Sequence, residues 1–388
     1  MNQEARYEYE IDERLTPELR YREAPVQTVH SLPVRYCSLG PEDVPTAVSE
    51  LEVIAFAQRF GAVAIAAEGI GGVETLPAYR QRGYLSHLLT RALEGMAQRV
   101  AVAFVSEAID HLYEKFGFVT CLNEARFLLK LRNLEPLRQQ RDQCLANRHL
   151  RTFTVTDLPE MIKLYNHAHS HRPWTHVRQP DWNRLRPRTT WDPGTAALVL
   201  EDGKTLVGYA LFKGEIFGRP AASFTVDEFT AQDADAARQL LVAIAEHCWD
   251  LRLSEFTIRE PLDTLVGWEA RTLGCDYVQL LPTTGEMMGA ILNRARLLRA
   301  LEPELRRRVH DTHLFQEHEA AFKALLQGDL LPDNKVLLRL LLGFWSAVDA
   351  QWAGANIPAP WLRICLAWFP GGGTQALATP YAHTLDRY

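Results

Sequence analysis

Hydrophobic and polar positions change their spacing most clearly between residues 61 and 118. Residues 61–76 are small and apolar without a helical period, which predicts a buried strand. A helix is predicted to open at Arg80, because apolar residues then recur at helical spacing. Residues 100–105 are apolar again and predict a second strand. A strand, a helix and a strand in this order predict one βαβ crossover.

A similar order of patterns returns after residue 150. Two apolar runs flank Asp202-Gly203, which predicts a hairpin. Residues 224–229 predict a further strand, and residues 236–249 predict a helix with one apolar face. The second part of the chain is therefore predicted to repeat the architecture of the first.

Helical patterns dominate the last third of the chain. Helices are predicted over residues 290–301, 336–345 and 361–369. The strongly apolar run at 336–345 is interrupted by Arg339 and is too short to span a bilayer, so no membrane span is predicted.

Three other regions give weaker patterns. Residues 1–60 show no clear period: residues 20–36 predict short extended segments broken by prolines, and residues 41–54 predict either the start of a helix or a strand. Residues 127–131 predict a strand that pairs beside the one starting near Phe118. Residues 132–150 are polar and rich in arginine, which predicts a linker with some helix.

Length and charge narrow the class of protein. A chain of 388 residues predicts two or three domains. A net charge of −6 argues against a general nucleic-acid binder. The six cysteines form no CxxC or other zinc spacing, and the polar start of the chain does not resemble a signal peptide. These features favour a protein of the reducing cytoplasm without a structural metal.

The turn before the predicted helix carries the first candidate chemistry. Arg80, Arg82 and Gly83 stand where the first N–H groups of the helix have no internal partner. Such a helix end attracts anions, and a glycine lets a phosphate approach the backbone closely. Alone, the pattern is weak and favours a solvated helix start. A Val-x-Thr strand end before the turn and a Tyr-x-x-Phe-Gly-Phe run after the next strand favour the ligand-binding interpretation.

Together these motifs resemble the acetyl-CoA core of the Gcn5-related N-acetyltransferases (GNAT), in the branch of the "enhanced intracellular survival" acetyltransferases. Leu85 departs from the small residue usual in the family, and this branch carries a larger one. The resemblance implies that the strand end binds pantetheine, that the turn binds the pyrophosphate, and that a Ser-Glu pair follows the next strand. The implied acetyl-CoA-binding residues are Val73, Glu74, Thr75, Arg80, Gln81, Arg82, Gly83, Tyr84, Leu85, Ser86, Ser106 and Glu107.

The same resemblance implies two catalytic groups. Tyr113 would be the general acid that protonates the leaving thiolate, a role that a phenol suits. The α-carboxylate of Tyr388 would be the base, with Glu107, Asp110 or water as alternatives. From the residues alone, Tyr113 is equally a packing side chain, and the tail is equally a frayed end without function.

The resemblance also implies the domain order. The fold class is mixed α/β or α+β: two tandem GNAT-like sheets and then an α+β domain resembling sterol carrier proteins. The predicted boundaries are 1–135 for the catalytic domain, 136–150 for a linker, 151–282 for a degenerate copy, and 283–388 for the last domain, whose tail would reach the active site. The degenerate copy would not bind CoA, because Asp233 and Asp235 replace the phosphate loop and would repel a pyrophosphate.

Two further clusters have weaker interpretations. His167, His169 and His171 could suggest a metal, but no HExxH or carboxylate pattern accompanies them, so a solvated helix end is favoured. Tryptophans mixed with arginines between residues 172 and 191 could bind a single-stranded nucleic acid. The acidic charge of the chain favours a packed loop instead, for which the acceptor site is one location.

The predicted function is therefore transfer of acetyl from acetyl-CoA to a primary amine of an aminoglycoside, a polyamine or a lysine. A non-catalytic acyl-CoA sensor and a lipid-binding protein acting through the last domain remain the alternatives. The resemblance further implies a homo-oligomer. Nucleic acid and membrane partners are not expected.

Overall fold

The computed structural model describes residues 10–16, 19–29, 32–41, 47–106, 110–122, 124–139, 148–181, 195–216, 219–280 and 287–372. The strands in chain order are β1 (Ile11–Thr16), β2 (Leu19–Glu23), β3 (Gln27–Val29), β4 (Leu32–Pro41), β5 (Ser49–Phe60), β6 (Val63–Thr75), β7 (Val102–Val105), β8 (Val119–Thr120), β9 (Glu124–Lys130), β10 (Arg148–Thr152), β11 (Thr195–Asp202), β12 (Thr205–Ile216), β13 (Arg219–Ala231), β14 (Glu255–Ile258), β15 (Asp276–Leu280) and β16 (Met288–Ile291). The α-helices are α1 (Tyr84–Arg99), α2 (Asp110–Glu114), α3 (Leu131–Gln139), α4 (Leu158–Ala168), α5 (Ala234–Asp250), α6 (Leu265–Leu273), α7 (Arg294–Val309), α8 (His318–Gln327), α9 (Asn334–Leu342), α10 (Ala347–Trp352) and α11 (Leu362–Trp368).

The strands form two mixed sheets. The first has the order β1-β2-β4-β5-β6-β7-β16-β8, with β3 paired to β4, and the second has the order β10-β11-β12-β13-β14-β9-β15. Strands β6 and β7 are parallel and are joined through α1, so the predicted βαβ crossover is confirmed. The predicted hairpin is also confirmed, because β11 and β12 pair antiparallel across Asp202-Gly203.

Two strands do not join the sheet formed by their neighbours in sequence. Strand β9 lies antiparallel between β14 and β15 of the second sheet, so the prediction that residues 127–131 pair beside the Phe118 strand is wrong. Strand β16 lies between β7 and β8 of the first sheet. Residues 290 and 291, predicted as the start of a helix, therefore belong to a strand, and the helix begins at Arg294.

Helix α1 packs on the first sheet through the apolar face predicted for it. Leu88, Leu89, Ala92 and Met96 are buried in one cluster with residues of β4, β5, β6 and β7. Burial of each leucine side chain contributes roughly 1.5–3 kcal/mol. This packing fixes where the N-terminus of α1 lies beside the sheet.

The last helices cover the opposite face of the first sheet. Phe60, Ala67 and Phe104 of that sheet belong to one buried cluster with Leu297 of α7 and Leu338 of α9. Arg339 Nε also donates to the carbonyl oxygen of Thr120 at 3.0 Å, which ties α9 to β8. The C-terminal helices and the first sheet therefore share one core.

The described part of residues 10–60 forms strands, in line with the extended segments predicted there. The helices predicted over 336–345 and 361–369 are found at Asn334–Leu342 and Leu362–Trp368. Arg148, which was predicted to lie in the linker, already belongs to β10. The boundaries of the domains and the likeness to sterol carrier proteins remain predictions. In the described ranges, no helix has the length and apolar character needed to cross a membrane.

Candidate active site

A cleft opens in the first sheet where β6 and β7 separate. These parallel strands pair over only three residues of each, and the last pair is Ile70 with Val105. Beyond that pair β6 continues to Thr75, whereas β7 ends. The resulting cleft has a volume of about 750 Å³ and is bounded by β6, the start of α1 and the helix α2.

A β-bulge shapes the wall of this cleft. The register of β5 and β6 passes from Glu52 opposite Gly71 to Glu50 opposite Glu74, so that Leu51 faces both Gly72 and Val73. Gly72 has φ of +56°, a left-handed conformation that glycine adopts without strain. The bulge interrupts the ladder, so backbone groups at this point are available to a ligand.

The turn before α1 is left-handed at two positions. Gln81 has φ of 62° and Gly83 has φ of 84°. Arg80 Nε donates to the carbonyl oxygen of Thr75 at 3.0 Å, which fastens the turn to the end of β6. Because of these two turns the helix begins at Tyr84, four residues after the predicted start at Arg80.

The N-terminus of α1 is open to an anion. Its cap is Gly83, no side chain accepts a hydrogen bond at the cap, and the first turn holds no acidic residue. The N–H groups of Tyr84, Leu85 and Ser86 thus stand at the positive end of the helix dipole without a capping side chain. A phosphate group is the ligand that such a helix end binds readily.

The structure brings most of the predicted site residues to this one cleft. The predicted residues that line it are Val73, Glu74, Thr75, Arg80, Gln81, Gly83, Tyr84, Leu85, Ser86, Ser106 and Tyr113. The side chain of Arg82 is exposed and lies over Tyr79, with the guanidinium carbon 5.7 Å from the ring centroid. Glu107, Tyr388 and the side chain of Asp110 lie outside the described part of the chain.

Tyr113 lies on α2 and is 4% exposed. Its ring packs edge-on against Phe118, with centroids 5.7 Å apart, and burial raises the pKa of the phenol above its usual value. The phenol therefore stays protonated at neutral pH. Two lysines hold this helix: Lys335 Nζ donates to the carbonyl oxygen of Glu114 at 3.2 Å, and Lys115 Nζ donates to Ser86 Oγ at 3.2 Å.

Sequence reasoning missed several lining residues. Ile70, Gly71, Gly72, Tyr79, Val105 and Leu112 also bound the cleft. The adjacent glycines at 71 and 72 were the available signal, because a glycine inside a strand pattern often marks a bulge.

Comparison with known proteins identifies the family. Two family models, each described as an acetyltransferase (GNAT) domain, match residues 20–121 and residues 170–270, which together are more than half of the chain. The chain belongs to the GNAT acetyltransferase family. The predictions of two tandem GNAT domains and of an acyltransferase enzyme are confirmed.

Solved structures share the fold. A GNAT protein from Anabaena variabilis ATCC 29413 is 14% identical, with a TM-score of 0.66, over 91% of this chain and 89% of that one. Eis1 from Mycobacterium abscessus is 16% identical, with a TM-score of 0.59, over 91% of this chain and 90% of that one. A protein from Enterococcus faecalis V583 is 16% identical, with a TM-score of 0.53, and the match spans 68% of this chain and 64% of that one. No curated protein matches the sequence.

The second GNAT domain repeats the separation of strands seen in the first. Strands β13 and β14 are parallel and pair over three residues, from Phe224 with Phe256 to Val226 with Ile258. Asp227 falls at a register shift between β12 and β13, as Gly72 and Val73 do between β5 and β6.

The helix start that would meet the pyrophosphate of CoA differs in the second domain. The side chain of Asp233 caps α5 by accepting from the N–H of Ala236 at 2.7 Å. Arg148 donates to both oxygens of that carboxylate, at 3.1 and 3.0 Å. A carboxylate thus stands at the helix start where the first domain has Gly83, which favours the prediction that this copy does not bind CoA.

The histidine cluster at residues 167–171 lies within the described ranges, and the segment of tryptophans and arginines at residues 172–191 lies partly within them. His167 and His171 are exposed and His169 is buried. No group of three potential metal ligands was found among the described side chains, and the absence of a metal stays a prediction. Trp174 is buried, and its backbone N–H donates to the carbonyl oxygen of Arg59 at 3.0 Å, as expected of a packed loop. Trp182, Trp191 and the arginines between them lie outside the described ranges.

Proposed function

We propose that this GNAT protein moves the acetyl group of acetyl-CoA to a primary amine by direct attack of the amine on the thioester. GNAT acetyltransferases use acetyl-CoA as co-substrate. One observation carries the proposal: a single cleft combines an uncapped helix N-terminus, a bulged strand and a buried phenol.

These three features fit the parts of acetyl-CoA. The N–H groups at the start of α1, with Arg80 beside them, offer hydrogen bonds and positive charge to the pyrophosphate. The backbone of β6 at Gly72 and Val73 offers peptide groups to the pantetheine amides, because the bulge interrupts their pairing with β5.

The reaction follows from the same placement. The neutral amine attacks the thioester carbonyl carbon, the new C–N bond forms, and the carbonyl oxygen becomes an oxyanion that an N–H near Val73 stabilises. The C–S bond then breaks and the thiolate takes the proton of Tyr113. The nitrogen loses its second proton as the amide forms, and this proton restores the phenol of Tyr113. The amine arrives as an ammonium ion, so a second group must first accept its extra proton.

Three parts of this proposal rest on the family resemblance alone. The terminal carboxylate of Tyr388 is one candidate for the proton acceptor, and the acceptor amine is that of an aminoglycoside, a polyamine or a lysine. A homo-oligomer is proposed on the same ground.

The test is release of the CoA thiol from acetyl-CoA with a panel of aminoglycosides, polyamines and lysine peptides. We expect Tyr113→Phe to lower kcat about 100-fold, in the range of acid catalysis, with an unchanged Kd for acetyl-CoA. Tyr277→Phe is the matched control, because Tyr277 is a half-buried phenol whose pKa is also raised by burial but which lies in the second sheet.

Three results would contradict the proposal. Acetyl-CoA binding without thiol release would indicate a sensor. Equal activity of wild type and Tyr113→Phe would remove the acid role. A co-purifying apolar ligand with no affinity for CoA would indicate a lipid-binding protein.

A further inference from the structure

A carboxylate that the sequence did not single out lies against the bulge. Glu52 is on β5, opposite Gly71. A Cβ atom placed on Gly72 would lie 3.0 Å from the carboxyl carbon of Glu52 and 3.3 Å from its Oε1. The carboxyl group of Glu52 therefore packs over the backbone of Gly72, next to Val73.

Glu52 faces away from α1. Its neighbours Leu51 and Val53 are buried in the cluster that contains Leu88 and Leu89 of α1. Side chains alternate along a strand, so Glu52 points to the other face of the sheet. The cofactor phosphates are proposed to bind at the N-terminus of α1. Glu52 thus lies at the same bulge, on the face of the sheet opposite α1, with its carboxyl group over the backbone of Gly72.

The carboxylate of Glu52 has no hydrogen bond or ion pair within the described part of the chain. Burial raises its pKa above the ordinary value, and the charge of Glu50 raises it further. On the neighbouring strands, Tyr36 of β4 lies directly opposite Glu52, and Glu74 of β6 lies opposite Glu50. A half-buried carboxylate with acidic neighbours attracts a cation and accepts a proton more readily than an ordinary one.

We infer that Glu52 binds the ammonium group of the acceptor and accepts its proton before the attack on the thioester. The inference rests on the proposed function and assigns a residue to its unfilled step. One N–H bond of the ammonium breaks, its electron pair stays on nitrogen, and the proton moves to a carboxylate oxygen of Glu52. The neutral amine then attacks, and Glu52 later returns the proton to solvent. The acceptor is therefore an amine that is charged in solution.

The test compares Glu52→Gln with wild type in thiol release from acetyl-CoA, using spermidine, neamine and a lysine tripeptide over a range of pH. We expect kcat to fall about 100-fold and the acid limb of the pH profile to disappear. Acetyl-CoA affinity and the unfolding midpoint, measured on the same variants, should stay close to wild type. Hydroxylamine, which is largely neutral at pH 7, should lose far less rate in Glu52→Gln.

Glu50→Gln is the matched variant on the same face of the same strand. Because the charge of Glu50 helps to raise the pKa of Glu52, this variant should keep the plateau rate and move the acid limb to lower pH. If the role of Glu52 were purely structural, Glu50→Gln would not move the acid limb of the pH profile. Glu52→Gln would then lose as much rate with hydroxylamine as with the charged amines.

The outcomes separate the two proposals. If wild type releases thiol and Glu52→Gln keeps both its rate and its acid limb, the role of Glu52 is overturned while the proposed function stands. If removal of Tyr388 alone abolishes the acid limb, the terminal carboxylate is the proton acceptor instead. If wild type binds acetyl-CoA but releases no thiol with any amine, the proposed function and the role of Glu52 are both overturned.

Discussion

The backbone N–H of Phe229 donates a hydrogen bond to the carboxylate of Glu260, with N and Oε1 3.3 Å apart. Phe229 lies on β13 just beyond the three residues that pair with β14, where the two strands have separated. In the first domain the corresponding stretch of β6 faces an open cleft. In the second domain a side chain of the protein itself binds the separated strand.

The position of Glu260 predicts a pH dependence of stability. It is fully buried, and burial is the largest cause that raises its pKa to about 8. A carboxyl group whose folded pKa lies above its unfolded value stabilises the fold at low pH, and this contribution is lost as the pH rises to the folded value. We therefore compare Glu260→Gln with wild type at two pH values. The free energy of unfolding of the variant, relative to wild type, should be higher at pH 8 than at pH 5 by about 2–4 kcal/mol. Urea unfolding from pH 5 to 9 measures this.

Glu255→Gln is the control for that measurement, because Glu255 lies on the same strand with an exposed side chain. The same pH dependence in wild type and Glu260→Gln would contradict the assignment of the buried carboxyl.

A glycine pair tests whether the turn before α1 binds acetyl-CoA. Gly83 and Gly328 have φ of +84° and +86°, and an added Cβ would meet only His87 at 4.0 Å in the first case and nothing within 4 Å in the second. Alanine at either position should cost about 1–2 kcal/mol, because the left-handed conformation strains a side chain. Only Gly83→Ala should also weaken acetyl-CoA binding, by about tenfold or 1.4 kcal/mol. Calorimetric titration and thermal unfolding of both variants decide the point. Equal Kd values would mean that the turn does not contact the cofactor.

His318 predicts a loss of stability in acid. It is 1% exposed, and neither ring nitrogen has a hydrogen-bond partner in the described part of the chain. Its ring stacks on Phe322 at 5.8 Å and meets Trp368 edge-on at 5.5 Å, and burial lowers its pKa. A histidine whose folded pKa is below its unfolded value of about 6.5 stabilises the fold above that pH and ceases to do so as the pH falls.

We expect His318→Phe to lose less stability than wild type between pH 7 and pH 5, because the variant has no imidazole to protonate. The exposed His171, changed to Phe, should leave the pH dependence as it is. Unfolding midpoints at the two pH values measure the difference, and a parallel decline of wild type and His318→Phe would show that other groups dominate.

The sequence predicts those elements of the fold whose hydrophobic spacing is local. The β6–α1–β7 unit follows from local spacing, since each element shows its own hydrophobic period. The start of α1 was placed four residues early, because the left-handed turns at Gln81 and Gly83 leave no mark on that period. Tyr113 was placed correctly beside the cleft through a motif rather than through periodicity.

The unpredicted part depends on partners distant in sequence. An alternating pattern identifies β9 as a strand but does not name the sheet that it joins. Strand β16 is only four residues long, and its apolar residues continue into the period of α7. The sequence pattern does not single out Glu52, because its contact with Gly72 arises from a bulge on the neighbouring strand.

The exchange of β9 and β16 sets an order of events during synthesis. Strand β7 has β6 on one side, but its other neighbour, β16, is made only after the whole second sheet. At ordinary elongation rates the ribosome needs roughly 10–40 s to pass from β7 to β16. During that interval the nascent acetyltransferase exposes an unpaired strand edge beside its future cleft, a surface prone to wrong pairing. The first sheet is thus completed only after the second, and a nascent chain that stops before β16 leaves β7 without one of its two neighbours.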